Sequence, residues 1–220
     1  MRITIVTGQD GARGATGDVV VIDVIRAFTT AAHAFAAGIE EIELVATVEE
    51  AFARDGFRMG EVGGRLIPGF DHNNSPSALA GRKLAGRAVQ RTGSGTQGAV
   101  LATKARSLWL GSLVVASATA RALQGSDAVT LVAMGAPGEP ADEEDMAGAV
   151  AIEAALRGEP VPRERVIAMV RGSRAASRHA SGDADRPAAD IDRCCALDAF
   201  NFAMMAERRD GRVIARAIRT

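Results

Sequence analysis

The stretch Gly17-Asp18-Val19-Val20-Val21-Ile22-Asp23-Val24-Ile25-Arg26-Ala27-Phe28-Thr29-Thr30 decides the fold of this chain. Its apolar, β-branched run at residues 19–22 is typical of a strand that is buried on both faces. The alanine-rich segment at residues 30–37 then predicts a helix that ends at Gly38. A buried strand that leads directly into a helix favours an α/β fold with a largely parallel sheet.

Four polar residues crowd the junction between this strand and this helix: Asp23, Arg26, Thr29 and Thr30. In open α/β sheets, ligands bind at the carboxyl ends of strands, where helix N-termini offer free N–H groups. A carboxylate cannot itself bind an anion, so Asp23 beside Arg26 indicates a cation and an anion held together, most simply a metal and a phosphate. The alternative is that Asp23 caps the helix and pairs with Arg26.

Composition limits the classes of function. The chain has 220 residues, a length between one large domain and two small ones, and it can bury one substantial core. We expect a single domain over residues 1–220. With 47% hydrophobic residues and a net charge of −1, the chain gives no reason to expect binding to nucleic acid or to an anionic membrane. No apolar segment reaches the roughly 20 residues that span a bilayer, and the first residues do not form a signal peptide. The cytoplasm is the expected location.

The cysteines and histidines do not predict a zinc or iron centre. Cys194 and Cys195 are adjacent and are most simply reduced core residues, while His33, His72 and His179 show no metal-ligand spacing. Tyrosine is absent and Trp109 is the only tryptophan, so aromatic platforms for nucleic-acid bases are scarce.

The rest of the chain continues the alternation of strands and helices. Residues 8–17 predict a glycine-rich loop, residues 62–74 a long polar loop, and residues 163–209 two helices broken near 182–187. The other predicted strands are residues 2–6, 41–46, 57–59, 87–91, 107–110, 129–133 and 212–218, and the other predicted helices are residues 47–55, 97–106, 116–123 and 142–156.

A glycine-hydroxyl turn, Thr92-Gly93-Ser94-Gly95-Thr96, follows one predicted strand. Its hydroxyl and N–H groups are suited to surround a phosphate or sulfonate. It matches neither a P-loop nor a dinucleotide fingerprint. An ordinary strand-to-helix turn, which also needs glycine and capping residues, remains the alternative.

Three further carboxylates, Glu61, Glu144 and Asp145, stand at predicted strand or helix ends. Hard oxygen ligands of this type suit Mg²⁺ that is shared with a substrate phosphate. The alternative is that Glu144 and Asp145 are solvated acids in the first turn of a helix.

The polar loop holds further candidates. Asp71 and Asn74 are suited to orient substrate or to cap their own loop. The simplest interpretation of His72 is an exposed loop residue, and that of residues 171–178 is a solvated helix face.

These segments, in this order, resemble the 2-phosphosulfolactate phosphatase family, the ComB-type magnesium-dependent acid phosphatases. The similarity covers about residues 18–158. It rests on Asp23-Val24-Ile25-Arg26-Ala27-Phe28-Thr29-Thr30, Gly60-Glu61, Gly69-Phe70-Asp71, Asn74-Ser75-Pro76, Thr92-Gly93-Ser94-Gly95-Thr96, Gly111-Ser112 and Glu144-Asp145 with Gly148.

The resemblance implies a three-layer α/β/α fold with a mixed, largely parallel sheet, and an enzyme that hydrolyses the phosphate monoester of a small hydroxy acid with Mg²⁺ as cofactor. A homodimer is the usual expectation for such an enzyme. The implied catalytic residues are Asp23, Arg26, Glu61 and Asp145. The implied metal ligands are Asp23, Glu61, Glu144 and Asp145. The implied substrate-binding residues are Thr29, Thr30, Asp71, Asn74, Ser75, Thr92, Gly93, Ser94, Gly95, Thr96 and Ser112.

Four positions depart from the family pattern. Phe28 replaces the first of three threonines, Ser94 an asparagine, Gln97 an arginine and Val115 an asparagine. Polar contacts to the substrate are then missing, so the second hypothesis is a catalytically weakened relative that binds a phosphorylated or sulfonated metabolite.

Overall fold

Ten strands form one mixed sheet in the computed structural model, which describes residues 1–136, 143–179 and 182–220. The strands are β1 (Arg2–Thr7), β2 (Gly17–Ile22), β3 (Glu41–Val45), β4 (Phe57–Val62), β5 (Arg65–Leu66), β6 (Arg87–Arg91), β7 (Ala105–Gly111), β8 (Ala128–Ala133), β9 (Phe202–Arg209) and β10 (Arg212–Arg219). Their order across the sheet is β1-β8-β2-β7-β9-β10-β3-β6-β4-β5.

Helices cover both faces of this sheet. They are α1 (Gly8–Gly14), α2 (Ala27–Ala37), α3 (Val48–Phe52), α4 (Pro76–Leu79), α5 (Gly95–Leu101), a 3₁₀ turn (Leu113–Val115), α6 (Ala116–Ala122), α7 (Glu143–Leu156), α8 (Arg163–Gly172), α9 (Arg174–Ser177) and α10 (Ala189–Cys194). Val19 and Val21 pack in one core with α1, α2 and α5, whereas Val20 and Ile22 pack in another with α6, α7 and α8. The predicted α/β fold with three layers is therefore confirmed.

Two parallel sets of strands run in opposite directions. β1, β8, β2 and β7 form one set, and β3, β6 and β4 form the other. The hairpin of β9 and β10 lies between them and pairs antiparallel with β7 on one side and β3 on the other. The two sets are therefore joined only through this hairpin in the described sheet.

Most predicted elements are confirmed with small shifts of their ends. Gly38 ends α2 in a left-handed conformation, with φ of 115°, and Thr47 forms the predicted capping box with Glu50. The helix predicted at residues 97–106 ends at Leu101, because the chain turns into β7 at Ala105. The helix predicted at residues 142–156 is observed from Glu143, and Asp142 lies outside the described residues.

Two predictions of local structure are wrong. Gly8–Gly14 is a short helix, not a loop, because its buried Ala12 packs in the core beneath it. Residues 163–209 contain α8, α9 and α10 and then the strand β9, instead of two helices. Pairing with β7 and β10 overrides the helix propensity of Phe202–Arg209. None of the helices in the described segments combines the length and apolar character that crossing a bilayer demands.

Candidate active site

The loops after β2, β4 and β6 meet the first turn of α7 around one cavity of about 200 Å³. In the sheet, β2 and β6 lie five places apart, which corresponds to about 24 Å if the sheet were flat. Gln90 Nε2 in β6 nevertheless donates a hydrogen bond to the carbonyl of Ala27 at 2.8 Å. Twist and coiling of the sheet, with the reach of the loops, bring the two parallel sets together at this site.

Asp23 occupies the carboxyl end of β2 and is only 5% exposed. Its Oδ1 accepts a hydrogen bond from the N–H of Ala27 at 2.9 Å, and the N–H of Gly95 also stabilises the carboxylate. Burial nevertheless raises the pKa of Asp23 from 3.8 to about 6, and the negative charge of Glu61 acts in the same direction. The carboxyl is therefore a site where a bound cation would relieve an unfavourable charge.

Asp145 lies near Asp23, in the first turn of α7. Its two oxygens accept hydrogen bonds from the N–H groups of Val24 at 2.7 Å and Gly135 at 2.8 Å. Burial raises its pKa well above 3.8, and so do the charges of Asp23 and the buried Glu144. Glu144 and Asp145 are therefore not solvated acids in the first turn of a helix, as the alternative interpretation has it, because both are buried.

Glu61 connects β4 to the turn after β6. One carboxylate oxygen accepts from the N–H of Gly93 at 2.5 Å, and the other from the N–H of Gly64 at 2.5 Å. The guanidinium of Arg91 also donates to the main-chain carbonyl of Glu61 at 2.7 Å. These contacts fix the Glu61 carboxylate at the cavity wall, where it is 9% exposed.

One or two of these four carboxylates fit a metal ion that takes the rest of its ligands from water and substrate. They surround one cavity and provide the oxygen donors that Mg²⁺ prefers. Within the described ranges, however, no three His, Cys, Asp or Glu side chains form a group that could hold a metal ion. Mg²⁺ commonly binds through one or two carboxylates and completes its coordination with water and substrate phosphate, which agrees with this arrangement.

The turn at Thr92–Thr96 directs its donors mainly at neighbouring protein groups. The N–H of Thr92 donates to Thr96 Oγ1 at 2.9 Å, and the N–H of Thr96 donates to Thr92 Oγ1 at 3.1 Å. The hydroxyl of Ser94 donates to the carbonyl of Gly135, and the N–H groups of Gly93 and Gly95 reach Glu61 and Asp23. The turn therefore positions the carboxylates and presents Gly93 and Ser94 to the cavity.

Gly95 is required where the turn approaches Asp23. A Cβ atom at this position would lie 2.8 Å from Asp23 Oδ2 and 2.7 Å from the Cβ of Ala27. Both distances are shorter than a real Cβ atom tolerates from an unbonded heavy atom, so something would have to shift. Any larger residue at position 95 would push the turn and the Asp23 carboxylate apart.

Arg26 lines the cavity, and residues of the C-terminal segment fix its guanidinium. Its Nη1 donates to Asp190 Oδ2 at 2.7 Å and to the carbonyl of Asp185 at 2.8 Å. It therefore does not pair with Asp23 as the alternative interpretation proposes. Asp190 also accepts hydrogen bonds from the hydroxyls of Ser75 at 2.8 Å and Ser77 at 2.6 Å. This buried cluster attaches the C-terminal helices to the loop after β2.

The predicted site residues divide into two groups. The structure places around the cavity Asp23, Arg26, Glu61, Asn74, Thr92, Gly93, Ser94, Glu144 and Asp145. In the described part of the chain, the residues that do not line it are Thr29, Thr30, Asp71, Ser75, Gly95, Thr96 and Ser112.

Two of the residues outside the cavity have clear structural contacts instead. Thr29 donates to the carbonyl of Val24 at 2.8 Å, and Asp71 accepts from the N–H of Arg58 at 2.8 Å. His72 is buried against Phe57 and is not an exposed loop residue, because its Nε2 contacts the carbonyl of Ser75 at 3.0 Å.

The C-terminal segment supplies residues that the sequence did not indicate. Arg178, His179 and Arg186 line the same cavity as the carboxylates. Arg178 was expected on a solvated helix face; it is exposed, yet it also borders the site. The many arginines of this segment were the available signal in the sequence. The position of the segment in the fold involves contacts between residues far apart in sequence, such as Arg26 with Asp190.

Comparison with known proteins shows the family to which this chain belongs. The family model described as 2-phosphosulpholactate phosphatase matches residues 9–208. A Bacillus subtilis (strain 168) protein named "Probable 2-phosphosulfolactate phosphatase" is 32% identical over 222 residues, covering 97% of this chain and 96% of the relative. A Thermus thermophilus protein of the same name is 34% identical over 172 residues, covering 74% and 72%. The chain therefore belongs to the 2-phosphosulpholactate phosphatase family.

Proposed function

We propose that this protein is a magnesium-dependent phosphatase that converts the phosphate monoester of a small hydroxy acid, similar to 2-phosphosulfolactate, into the hydroxy acid and inorganic phosphate. The observation that carries the proposal is the placement of Asp23, Glu61, Glu144 and Asp145 around one cavity. Family membership supports the hydrolysis of a phosphate ester. The magnesium requirement and the hydroxy acid are the finer parts of the proposal.

The charges around the cavity suit a metal and a polyanionic substrate together. One or two of the carboxylates Asp23, Glu61, Glu144 and Asp145 would hold Mg²⁺, which, when bound, polarises the phosphoryl group and neutralises its charge. Arg26, Arg178 and Arg186 provide positive charge on the same cavity. Such a mixture favours a ligand whose phosphate contacts the metal and whose second acidic group contacts an arginine.

The size and lining of the cavity favour a small substrate. Its volume of about 200 Å³ is below the range of about 300–1,000 Å³ that is usual for drug-sized ligands. No phenylalanine or tryptophan lines it in the described residues. A nucleoside base would therefore lack a stacking surface, whereas a three-carbon acid needs none.

The chain's own groups then act on the bound ester. Glu61 and Asp145 are held by backbone N–H groups on both oxygens, so they keep their position as charge moves during the reaction. Arg26 is fixed by Asp190 and the carbonyl of Asp185, and it stabilises the charge on the phosphoryl oxygens. A water molecule attacks the phosphorus in line with the leaving oxygen.

Phosphate release tests the proposal. We expect 2-phosphosulfolactate to release phosphate with Mg²⁺ and not with excess EDTA, and we expect Asp23→Asn and Glu61→Gln to abolish release. Glu153→Gln is a matched control, because Glu153 pairs with Arg157 on the outer face of α7. Phospholactate, which lacks the sulfonate, tests the second acidic group. Metal-independent release, or full activity in both carboxylate variants, would contradict the proposal.

Binding without turnover is the competing hypothesis, and the departures from the family pattern gave it its support. Phe28 and Val115 are buried in the core, and Gln97 donates to the carbonyls of Ala46 and Thr92. Of the four departures only Ser94 lines the cavity, which favours the enzyme. Calorimetry that detects saturable binding while phosphate release is absent would support the binder. The expected homodimer and cytoplasmic location stay predictions.

A further inference from the structure

His179 has a buried side chain that lines the carboxylate cavity and has no role in the reaction proposed above. It follows α9 by two residues, is 4% exposed and lines the cavity beside Arg178 and Arg186. It is far in sequence from Asp23 and Glu61 and lines the same cavity. Its position makes it a candidate for contact with substrate or with the attacking water.

The hydrogen bond of its other nitrogen fixes the tautomer of this ring. Nδ1 lies 3.0 Å from the carbonyl oxygen of Ala175. Because a carbonyl can only accept, Nδ1 carries the hydrogen, and Nε2 of the neutral ring presents a lone pair. The same Nδ1–H bond to a carbonyl orients many catalytic and metal-binding histidines.

Nε2 is buried and has no hydrogen-bond partner among the described residues. Leaving such an atom unsatisfied costs about 1–3 kcal/mol, and native proteins usually satisfy it with water or a ligand. Since the side chain borders the cavity, a molecule in that cavity is the available partner. An acceptor nitrogen there needs a partner that donates a hydrogen bond, as water does.

The surroundings of the ring keep it neutral. Burial lowers the pKa of His179 below 6.5, and the positive charges of Arg26 and Arg186 act in the same direction. Asp190 and the hydrogen bond to Ala175 oppose this shift without reversing it. At neutral pH the ring is therefore able to accept a proton.

We propose that His179 is a catalytic base of this phosphatase, and that its Nε2 accepts a proton from the water that attacks phosphorus. The inference rests on the proposed function. The water oxygen forms a bond to phosphorus while one of its protons passes to Nε2. The bond between phosphorus and the ester oxygen breaks, and its electron pair leaves with that oxygen, which takes a proton from solvent. The imidazolium then returns its proton to solvent.

His33 provides a matched control within the same chain. It is also a buried histidine, 9% exposed, whose Nε2 has no partner among the described residues. It lines a different pocket, next to Leu79 and Phe200. A substitution there repeats the loss of a buried imidazole without touching the carboxylate cavity.

Turnover measurements separate a catalytic role from a structural one. We expect His179→Ala to lower kcat for 2-phosphosulfolactate by roughly 10²- to 10⁴-fold with little change in KM, while His33→Ala keeps the wild-type kcat. Imidazole added to His179→Ala should restore part of the turnover, because the freed space adjoins the cavity. Rescue should increase with the fraction of neutral imidazole. A purely structural histidine would show no such pH-dependent rescue.

A binding experiment adds a readout that needs no turnover. The chain has three histidines, so its imidazole NMR spectrum has three sets of signals that single substitutions assign. With Mg²⁺ present, inorganic phosphate, the reaction product, should shift the ring signals of His179 and leave those of His33 unchanged. This titration and His179→Gln decide the question if His179→Ala does not fold.

The outcomes distinguish the two proposals. If His179→Ala or His179→Gln retains the full wild-type turnover, the proposed role of His179 is wrong and the phosphatase assignment stands. Unchanged His179 signals at saturating phosphate also overturn that role. A wild-type protein that binds phosphate but releases none from any tested ester overturns both proposals.

Discussion

Arg26 and Asp190 are 164 residues apart in sequence, and Arg26 Nη1 donates to Asp190 Oδ2 at 2.7 Å in the protein interior. The side chains are 4% and 0% exposed. Asp190 belongs to α10, and the segment before it carries Arg186 and His179. The ion pair therefore holds the segment that carries His179 and Arg186 against the loop after β2, which carries Arg26.

We expect Asp190→Asn to lower the free energy of unfolding by about 3–5 kcal/mol, because it leaves the buried Arg26 without its carboxylate. Urea unfolding monitored by circular dichroism measures this change. Asp192→Asn is the control: Asp192 pairs with Arg171 at 2.8 Å, but their side chains are 69% and 53% exposed, so its cost should stay below about 1 kcal/mol. Equal costs for the two variants would show that the buried pair is not special.

The raised pKa of Asp23 predicts the pH dependence of stability in metal-free protein. Its pKa is 3.8 when unperturbed and about 6 in the folded state, so the folded protein binds more protons between these values. Its contribution to stability is therefore present at low pH and is lost as pH rises from about 4 to about 6. The raised pKa of Asp145 acts in the same direction.

We therefore expect Asp23→Asn to raise the free energy of unfolding at pH 7.5 in EDTA by up to about 3 kcal/mol, and we also expect it to abolish activity. Comparing the variant with wild type from pH 4.5 to 7.5 isolates this carboxyl. Added Mg²⁺ should raise the melting temperature of wild type more than that of the variant, since ligands stabilise the state they bind. A variant that is less stable than wild type throughout this range would contradict the expectation.

Gly95→Ala should damage activity more than stability. The added methyl group would lie 2.8 Å from Asp23 Oδ2, and a displacement near the reacting groups costs roughly 10²-fold in rate. Gly172→Ala at the end of α8 is the control, because its added methyl group would meet no atom within 4 Å apart from its chain neighbours and its own helix backbone. Steady-state phosphate release from both variants tests this. Wild-type kcat in Gly95→Ala would show that the turn tolerates the methyl group.

Arg186→Met should weaken substrate binding while turnover at saturation changes little. The Arg186 guanidinium borders the cavity and donates to the carbonyl of Gly63. Losing a charged hydrogen bond to the second acidic group should raise KM for 2-phosphosulfolactate by roughly tenfold. Arg65→Met is the control, since Arg65 is 69% exposed and pairs weakly with Asp183 and Asp185. A similar increase in both variants would indicate a general effect of net charge.

Sequence reasoning located the carboxylates because their positions follow from local pattern. Asp23 and Glu61 stand at or near the ends of strands, and Glu144 and Asp145 at the start of a helix, where turns and helix starts bring polar groups to one edge. The contributions of His179, Arg186 and Asp190 have no local signal of this kind. They depend on contacts between segments more than 100 residues apart, such as Arg26 with Asp190.

The strand β9 shows why one element was assigned to the wrong class. Its sequence, Phe202–Arg209, is rich in alanine, methionine, glutamate and arginine, which all favour helices. A turn signal was nevertheless present: Asp210-Gly211 separates β9 from β10, and both residues have positive φ, 51° and 76°. An Asp-Gly pair in this conformation is typical of a two-residue β-hairpin, and it outweighs the helix propensity of the preceding residues.

The position of the β9–β10 hairpin also affects the order in which the sheet can assemble. These strands follow every other strand in the chain, yet they occupy central places in the sheet. β10 pairs with β3 through residues such as Ile214 and Glu43, and contacts between such distant residues slow folding. Without the hairpin, the inner edges of β7 and β3 would have no strand beside them, and unpaired edges of this kind are prone to aggregation.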